Sequence, residues 1–226
     1  MADPSIRASN TSDGTNVFTK PAGLADGDII YIRYTAFQNT ATPPSAPSGF
    51  TSVQSGGMTH AAGDCLVGAI FRKVITNAAG EPASYTVTRV GTVFYDGGRI
   101  DAVQNGDTST PEDDSGANTG TSTGPTTGAN ITTTVNGALI LIGSTTYAQN
   151  CSDPAGMTQD YELDGGDTEG WHESLTGSTV TGATRSSTIG ASVEWIYLFV
   201  AVKAVAAGGS SNAPRSAYYH LAGGLR

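Results

Sequence analysis

Apolar and polar side chains alternate with a period of two along most of this chain, and the alternation comes in short runs separated by Gly, Pro and Asn. In residues 28–37, Ile30, Ile32 and Tyr34 alternate with Tyr31, Arg33 and Thr35, the pattern of a strand with one buried face. The run 65–75 sets Leu66, Ile70 and Val74 opposite Val67, Phe71 and Ile75. Shorter runs predict strands at 5–9, 16–20, 50–54, 84–89 and 91–95, then at 131–135, 138–145, 157–163, 171–175 and 183–189. The last, 193–204, is apolar on both faces after Glu194, so it is expected to be central or covered on both sides. Three prolines in 42–49 remove donors and fix φ, which places a loop over one end of a sheet. Residues 104–129 are polar and Gly/Ser/Thr-rich and read as a low-complexity loop.

Two stretches match each other. Gly27 aligns with Gly137, Ile30 with Ile140, Ile32 with Ile142, and Pro47-Ser-Gly-Phe-Thr with Pro154-Ala-Gly-Met-Thr. The expected architecture is therefore all-β: a single antiparallel β-sandwich over 1–205, jelly-roll-like, made of two Greek-key halves at about 18–103 and 130–205 joined by the polar loop 104–129. Residues 206–226 are a linker and an extended C-terminal arm.

Composition sharpens this picture. Among 226 residues there are 30 Gly and 10 Pro, only 14% are charged, and 38% are hydrophobic, which suits strands and turns around a real core. The net charge of −9 argues against nucleic-acid binding. All 20 acidic residues lie before position 205, so the body carries −11 and the tail +2. No secretion signal and no membrane-spanning run is expected. Cys65 falls on an apparent core face and Cys151 in a polar loop, and both are expected as free thiols.

No motif fixes a chemistry. Asp164, Asp167 and Glu169, with Glu173 nearby, are the weak candidates for a calcium-type ion, but the loop lacks a known ligand spacing, and no cofactor is expected. Glu112-Asp-Asp114 reads as a solvated charge run. Glu169, Glu173 and Glu194 could supply a carboxylate pair for glycoside hydrolysis with Trp171 as a sugar platform; nothing fixes their separation. Exposed Tyr31, Tyr34 or Trp171 would suit a glycan- or receptor-binding module. The tail offers Arg215, Tyr218, Tyr219, His220, Leu221, Leu225 and Arg226 as a partner-binding segment, because Tyr and Arg dominate interface hot spots.

The blocks Gly27-Asp-Ile-Ile-Tyr-Ile, Pro47-Ser-Gly-Phe-Thr, Phe71-Arg-Lys-Val-Ile-Thr with Glu81-Pro-Ala-Ser-Tyr-Thr-Val, Pro154-Ala-Gly-Met-Thr and the closing Trp195-to-Lys203 strand occur in the order found in a diffuse family of tailed-bacteriophage virion proteins, which the chain resembles over about 18–205. It departs from that pattern at Phe50, where the family often has Trp, and at Tyr95-Asp-Gly-Gly-Arg-Ile-Asp101. The resemblance implies a jelly-roll accessory subunit of a capsid (a decoration protein) or tail (a minor tail protein), without enzymatic activity. It also implies capsid or tail proteins as partners and a place in the virion after assembly in the host cytoplasm; further copies of the chain are expected as partners too, and a host-surface glycan is the ligand under the alternative reading.

Overall fold

The computed structural model describes residues 2–60, 63–126 and 131–206. Among them the chain forms twelve strands: β1 (Ser5–Asp13), β2 (Val17–Thr19), β3 (Ile29–Gln38), β4 (Thr51–Thr59), β5 (Cys65–Val74), β6 (Ser84–Thr86), β7 (Val93–Gln104), β8 (Glu112–Ser122), β9 (Leu139–Thr146), β10 (Thr158–Leu163), β11 (Thr168–Ser174) and β12 (Val193–Val202). Two five-stranded antiparallel sheets pack face to face, in the orders β1-β7-β3-β5-β4 and β8-β12-β9-β11-β10. The short ribbon β2-β6 forms a two-stranded sheet of its own. The all-β antiparallel sandwich expected from the sequence is what the chain forms.

The two orders are the same order. Each half of the chain builds one whole sheet, with a lead strand at one edge and the next strand but three beside it. Local geometry repeats too. Gly27 N donates to Ile75 O (2.8 Å) and Ile75 N to Asp28 O (2.9 Å), just as Gly137 N donates to Ser178 O (2.9 Å) and Leu175 N to Ala138 O (2.8 Å). Phe50 N closes on Pro47 O (3.0 Å) and Met157 N on Pro154 O (3.1 Å). Bulges fall at equivalent places: at Arg7 in β1 and Asp113 in β8, and at Val53 in β4 and Asp160 in β10.

Gly27 and Gly137 share a left-handed φ, +88° and +85°, which a side chain resists. A Cβ on Gly27 meets nothing within 4 Å, whereas one on Gly137 would sit 2.0 Å from Asp3 Oδ1. Gly27→Ala should therefore cost roughly 1–2 kcal/mol from backbone strain alone, and Gly137→Ala measurably more. Urea titration of the two variants checks the order.

Both faces of both sheets are covered. Between the sheets, Ile29, Tyr31, Leu66 and Ile70 meet Leu139, Leu141, Leu198 and Val200. Outside the first sheet, Ile30, Ile32, Tyr34 and Phe71 lie under Phe18, Tyr85 and Val87 from the β2-β6 region. Outside the second, Ile140, Ile142, Trp171 and Phe199 lie under Ile131, Leu175 and Ile189. This explains why β3, β9 and β12 are buried almost throughout, and β12 is indeed covered on both sides.

Several expectations need correction. The face of β3 bearing Tyr31, Arg33 and Thr35 is not solvent-facing; all three are buried against the other sheet. The polar stretch 104–129 is not a loop: β8 runs through Glu112–Ser122 and pairs with β12 along its length. Its Ser, Thr and Gly residues carry no apolar alternation, yet an edge strand needs only backbone donors and acceptors once its neighbour is as apolar as β12. Conversely, the Thr/Ser run 183–189 and the run 131–135 form isolated bridges, Ile131 to Ala183 and Thr126 to Ser186. β4 and β7 extend well past the predicted ends. The strand order, with β3 beside β5 rather than β4 and β9 beside β11 rather than β10, is not that of a Greek key, because the loops after β3 and β9 carry the chain past one place and the next strand returns into it. Both thiols are free.

Candidate ligand site at the open end of the sandwich

The space between the sheets holds a line of polar side chains that ends in a pocket. At its inner end is Arg33, fully buried in mid-β3. Its guanidinium donates to Ile142 O and Trp171 O (2.9 Å each), to Asp101 Oδ2 (2.7 Å) and to Asp160 Oδ2 (2.6 Å), and lies 5.3 Å from the centre of the Tyr161 ring. Asp101 comes from β7 of the same sheet; Asp160 and both carbonyls come from the other. Asp160 reaches inward because it is the extra residue of the β10 bulge, a device that re-aims side chains. Arg99 and His172 complete the group, bonding Asp101 Oδ1 (2.7 Å) and Asp160 Oδ1 (2.7 Å) respectively. Burial alone would raise the Asp160 pKa, but Arg33, the His172 hydrogen bond and Arg99 outweigh it and hold the carboxyl at about 2.

Arg33 has room because the equivalent position of the other half, Gly143, faces it; a Cβ there would stand 3.5 Å from Arg33 Cβ. One step further along the gap, the Thr35 hydroxyl bonds that of Thr168 (3.2 Å). Beyond this contact the sheets part around a cavity of about 230 Å³ lined by Phe37, Tyr95, Thr145, Thr146, Tyr147, Ala148, Asp164, Asp167 and Thr168. Phe37 and Tyr95 are paired residues of β3 and β7. Phe37 also packs on Tyr147 (5.5 Å) and on Phe94 (5.4 Å), whose ring is 55% exposed. No lysine or arginine is among the lining residues. Asp164 takes a left-handed φ of +50° in the turn after β10, and Asp167 is raised in pKa first by burial and then by Asp164.

The other candidates separate. Asp164 and Asp167 line the cavity, but Glu169 points to the opposite face of β11, where Oε1 accepts from Cys151 N (2.8 Å) and Oε2 has no partner. Burial, against the Cys151 hydrogen bond and with Glu162, Asp153 and Asp167 adding to it, pushes this carboxyl up to about 8. Among the described residues no three His, Cys, Asp or Glu side chains converge as metal ligands would. Glu173 is paired with Arg185 (2.6 Å); Glu194 lies on the inter-sheet side, 3.4 Å from His60. The three glutamates therefore do not form a pair across a cleft.

Tyr31, Tyr34 and Trp171 are buried, at 0, 1 and 0% exposure, and offer no binding surface. Tyr31 donates to Glu112 (3.0 Å), which also pairs with Arg72 (2.6 Å), while Asp113 and Asp114 accept backbone N–H groups of Thr134 and Thr132. The run 112–114 is thus a set of struts, not a solvated face. Arg215, Tyr218, Tyr219, His220, Leu221, Leu225 and Arg226 lie outside the described residues.

Phe37, Tyr95 and Tyr147 carry little signal in the sequence because they lie near or just past the ends of β3, β7 and β9, where period-two patterning stops carrying information. Arg33 carried a signal: a charged residue in the middle of a run whose both faces proved apolar. Comparison with known proteins found no matching family model, no matching characterised protein and no matching solved structure.

Proposed function

We propose that the chain is a non-enzymatic accessory subunit on the surface of a tailed-bacteriophage particle, a capsid decoration subunit or a minor tail protein, attached in part through residues 214–226. The observation that best supports a structural role is where its charge goes. Arg33, Arg72, Arg99 and Arg185 are each bonded to carboxylates that tie strands or loops together, and Glu173 and Glu194, two of the three glutamates considered for catalysis, are paired with Arg185 and His60. The ordered sequence blocks add the particle context: Gly27-Asp, Pro47-Ser-Gly-Phe-Thr and Pro154-Ala-Gly-Met-Thr form the turns that lead into β3, β4 and β10. Removing residues 212–226 is expected to leave a folded body with an unchanged Tm that no longer co-sediments with particles; normal incorporation would refute the docking arm.

A second reading is a module that binds a host-surface glycan or receptor, favoured by the aromatic cavity between Phe37, Tyr95 and Tyr147. A glycan array probed with the whole chain separates the two, since a pure decoration subunit gives no hits.

A further inference from the structure

We infer that the cavity between Phe37, Tyr95, Tyr147, Asp164 and Asp167 is a binding site for a small organic cation, an ammonium group carried on a short aliphatic body. The inference rests on the cavity alone and holds whether or not the chain works on a phage particle.

Three observations point there. The first is the lining: three aromatic residues and two carboxylates, with three threonines and no basic residue. Aromatic faces attract cations through their quadrupole, most strongly where water is excluded. An anionic ligand would meet two carboxylates and no basic side chain to offset them. The second is size. At about 230 Å³ the cavity falls below the roughly 300–1,000 Å³ of sites for drug-sized molecules, which suits a single head group.

The third observation is internal to the fold. The two halves are equivalent strand by strand, so this cavity has a counterpart. Phe37 corresponds to Tyr147, and Tyr95, the strand partner of Phe37, corresponds to Glu194, whose carbonyl accepts from Tyr147 N (3.0 Å). In the counterpart the space is occupied. The His60 ring lies flat on Tyr147, centroids 3.8 Å apart and planes 8° from parallel, with Nε2 3.4 Å from Glu194 Oε2. A basic group on an aromatic face beside a carboxylate is how this chain fills the equivalent place by itself.

Hairpin length makes the difference. The β4-β5 pairing continues through Gly57–Val67, Met58–Leu66 and Thr59–Cys65 before the turn. The β10-β11 pairing stops at Leu163–Thr168, the equivalent of Gly56–Gly68. The first hairpin is three pairs longer and delivers His60; the second ends short, leaves the space beside Phe37 and Tyr95 open, and puts Asp164 and Asp167 at its rim.

The test is to titrate the full chain with choline chloride, followed by calorimetry and by tyrosine ring shifts. Parallel titrations use n-butylammonium, 3,3-dimethylbutan-1-ol as the uncharged analogue of choline, glucose and calcium chloride. Saturable millimolar binding of choline or n-butylammonium is expected, with the uncharged analogue weaker by roughly tenfold, the size a partly desolvated cation–π contact supports. Phe37→Leu and Asp164→Asn should each weaken binding about fivefold or more. Asp164→Asn keeps a residue that tolerates left-handed φ, so its fold is preserved and an unchanged affinity in it would overturn the inference. So would saturation by glucose or calcium with none by either ammonium, or equal binding of choline and its uncharged analogue.

Discussion

Replacing Arg33 with leucine should destabilise the protein by about 3–5 kcal/mol, the range for removing one partner of a buried ion pair. The loss arises less from the missing bonds than from what remains. Asp101 and Asp160, both with buried side chains, would lose the guanidinium they share and keep only Arg99 and His172 as partners, and Ile142 O and Trp171 O would lose the donors that bridge the sheets. Urea unfolding of R33L measures the cost. The triple variant R33L/D101N/D160N should recover a large part of it, because a neutral group without a partner costs less than a charged one. If the single and triple variants unfold at the same urea concentration, the charges are not what matters. The same group predicts acid lability. Asp160 is depressed in the folded state to about 2, so its contribution is present above the unfolded value near 4 and disappears as pH falls from there toward 2.

Glu169 predicts the opposite slope. Its folded pKa is raised to about 8 over an unfolded value near 4.3, so the folded chain holds this proton more tightly. The associated stability is complete below about pH 4.3 and is lost as pH rises through about 8. Glu169→Gln removes the titration. Between pH 5 and pH 8 the wild-type chain should lose on the order of 2–4 kcal/mol relative to E169Q, and the variant should be the more stable of the two at pH 8. Thermal melts of both proteins across that range would show it. Parallel curves for wild type and E169Q would mean the carboxyl is already solvated.

How much of this was legible in the chain follows from what period-two patterning can report. It located β3, β5, β9 and β12 because their neighbours are apolar and their side chains alternate between two interiors. It also marked the Gly27 and Gly137 turns, whose left-handed backbones demand glycine. It missed β8, where partnership with β12 and not side-chain hydrophobicity makes the strand. The pocket was half visible: Asp164 and Asp167 stood out as an acidic turn, but Phe37, Tyr95 and Tyr147 come from three separate segments. Only the bending of two sheets around one gap brings them together. The aromatic residues that did stand out, Tyr31, Tyr34 and Trp171, were spent on the core, since a sheet covered on both faces has no outward side for them.

Arg33 facing Gly143 has one more consequence. Two identical five-stranded sheets meeting through this surface would set each position near the axis against itself, arginine against arginine and glycine against glycine. Neither pairing builds the group around Asp160: the first collides like charges in a dry gap, and the second leaves a void. Joining both sheets on one chain frees the two members of every such pair to differ, so that one side can supply the bulk and the charge while the other withdraws. It also makes their meeting independent of protein concentration, because each sheet carries its partner at the end of a tether. The polar centre and the lopsided cavity beside it are arrangements that a symmetric pair of separate chains is unable to make.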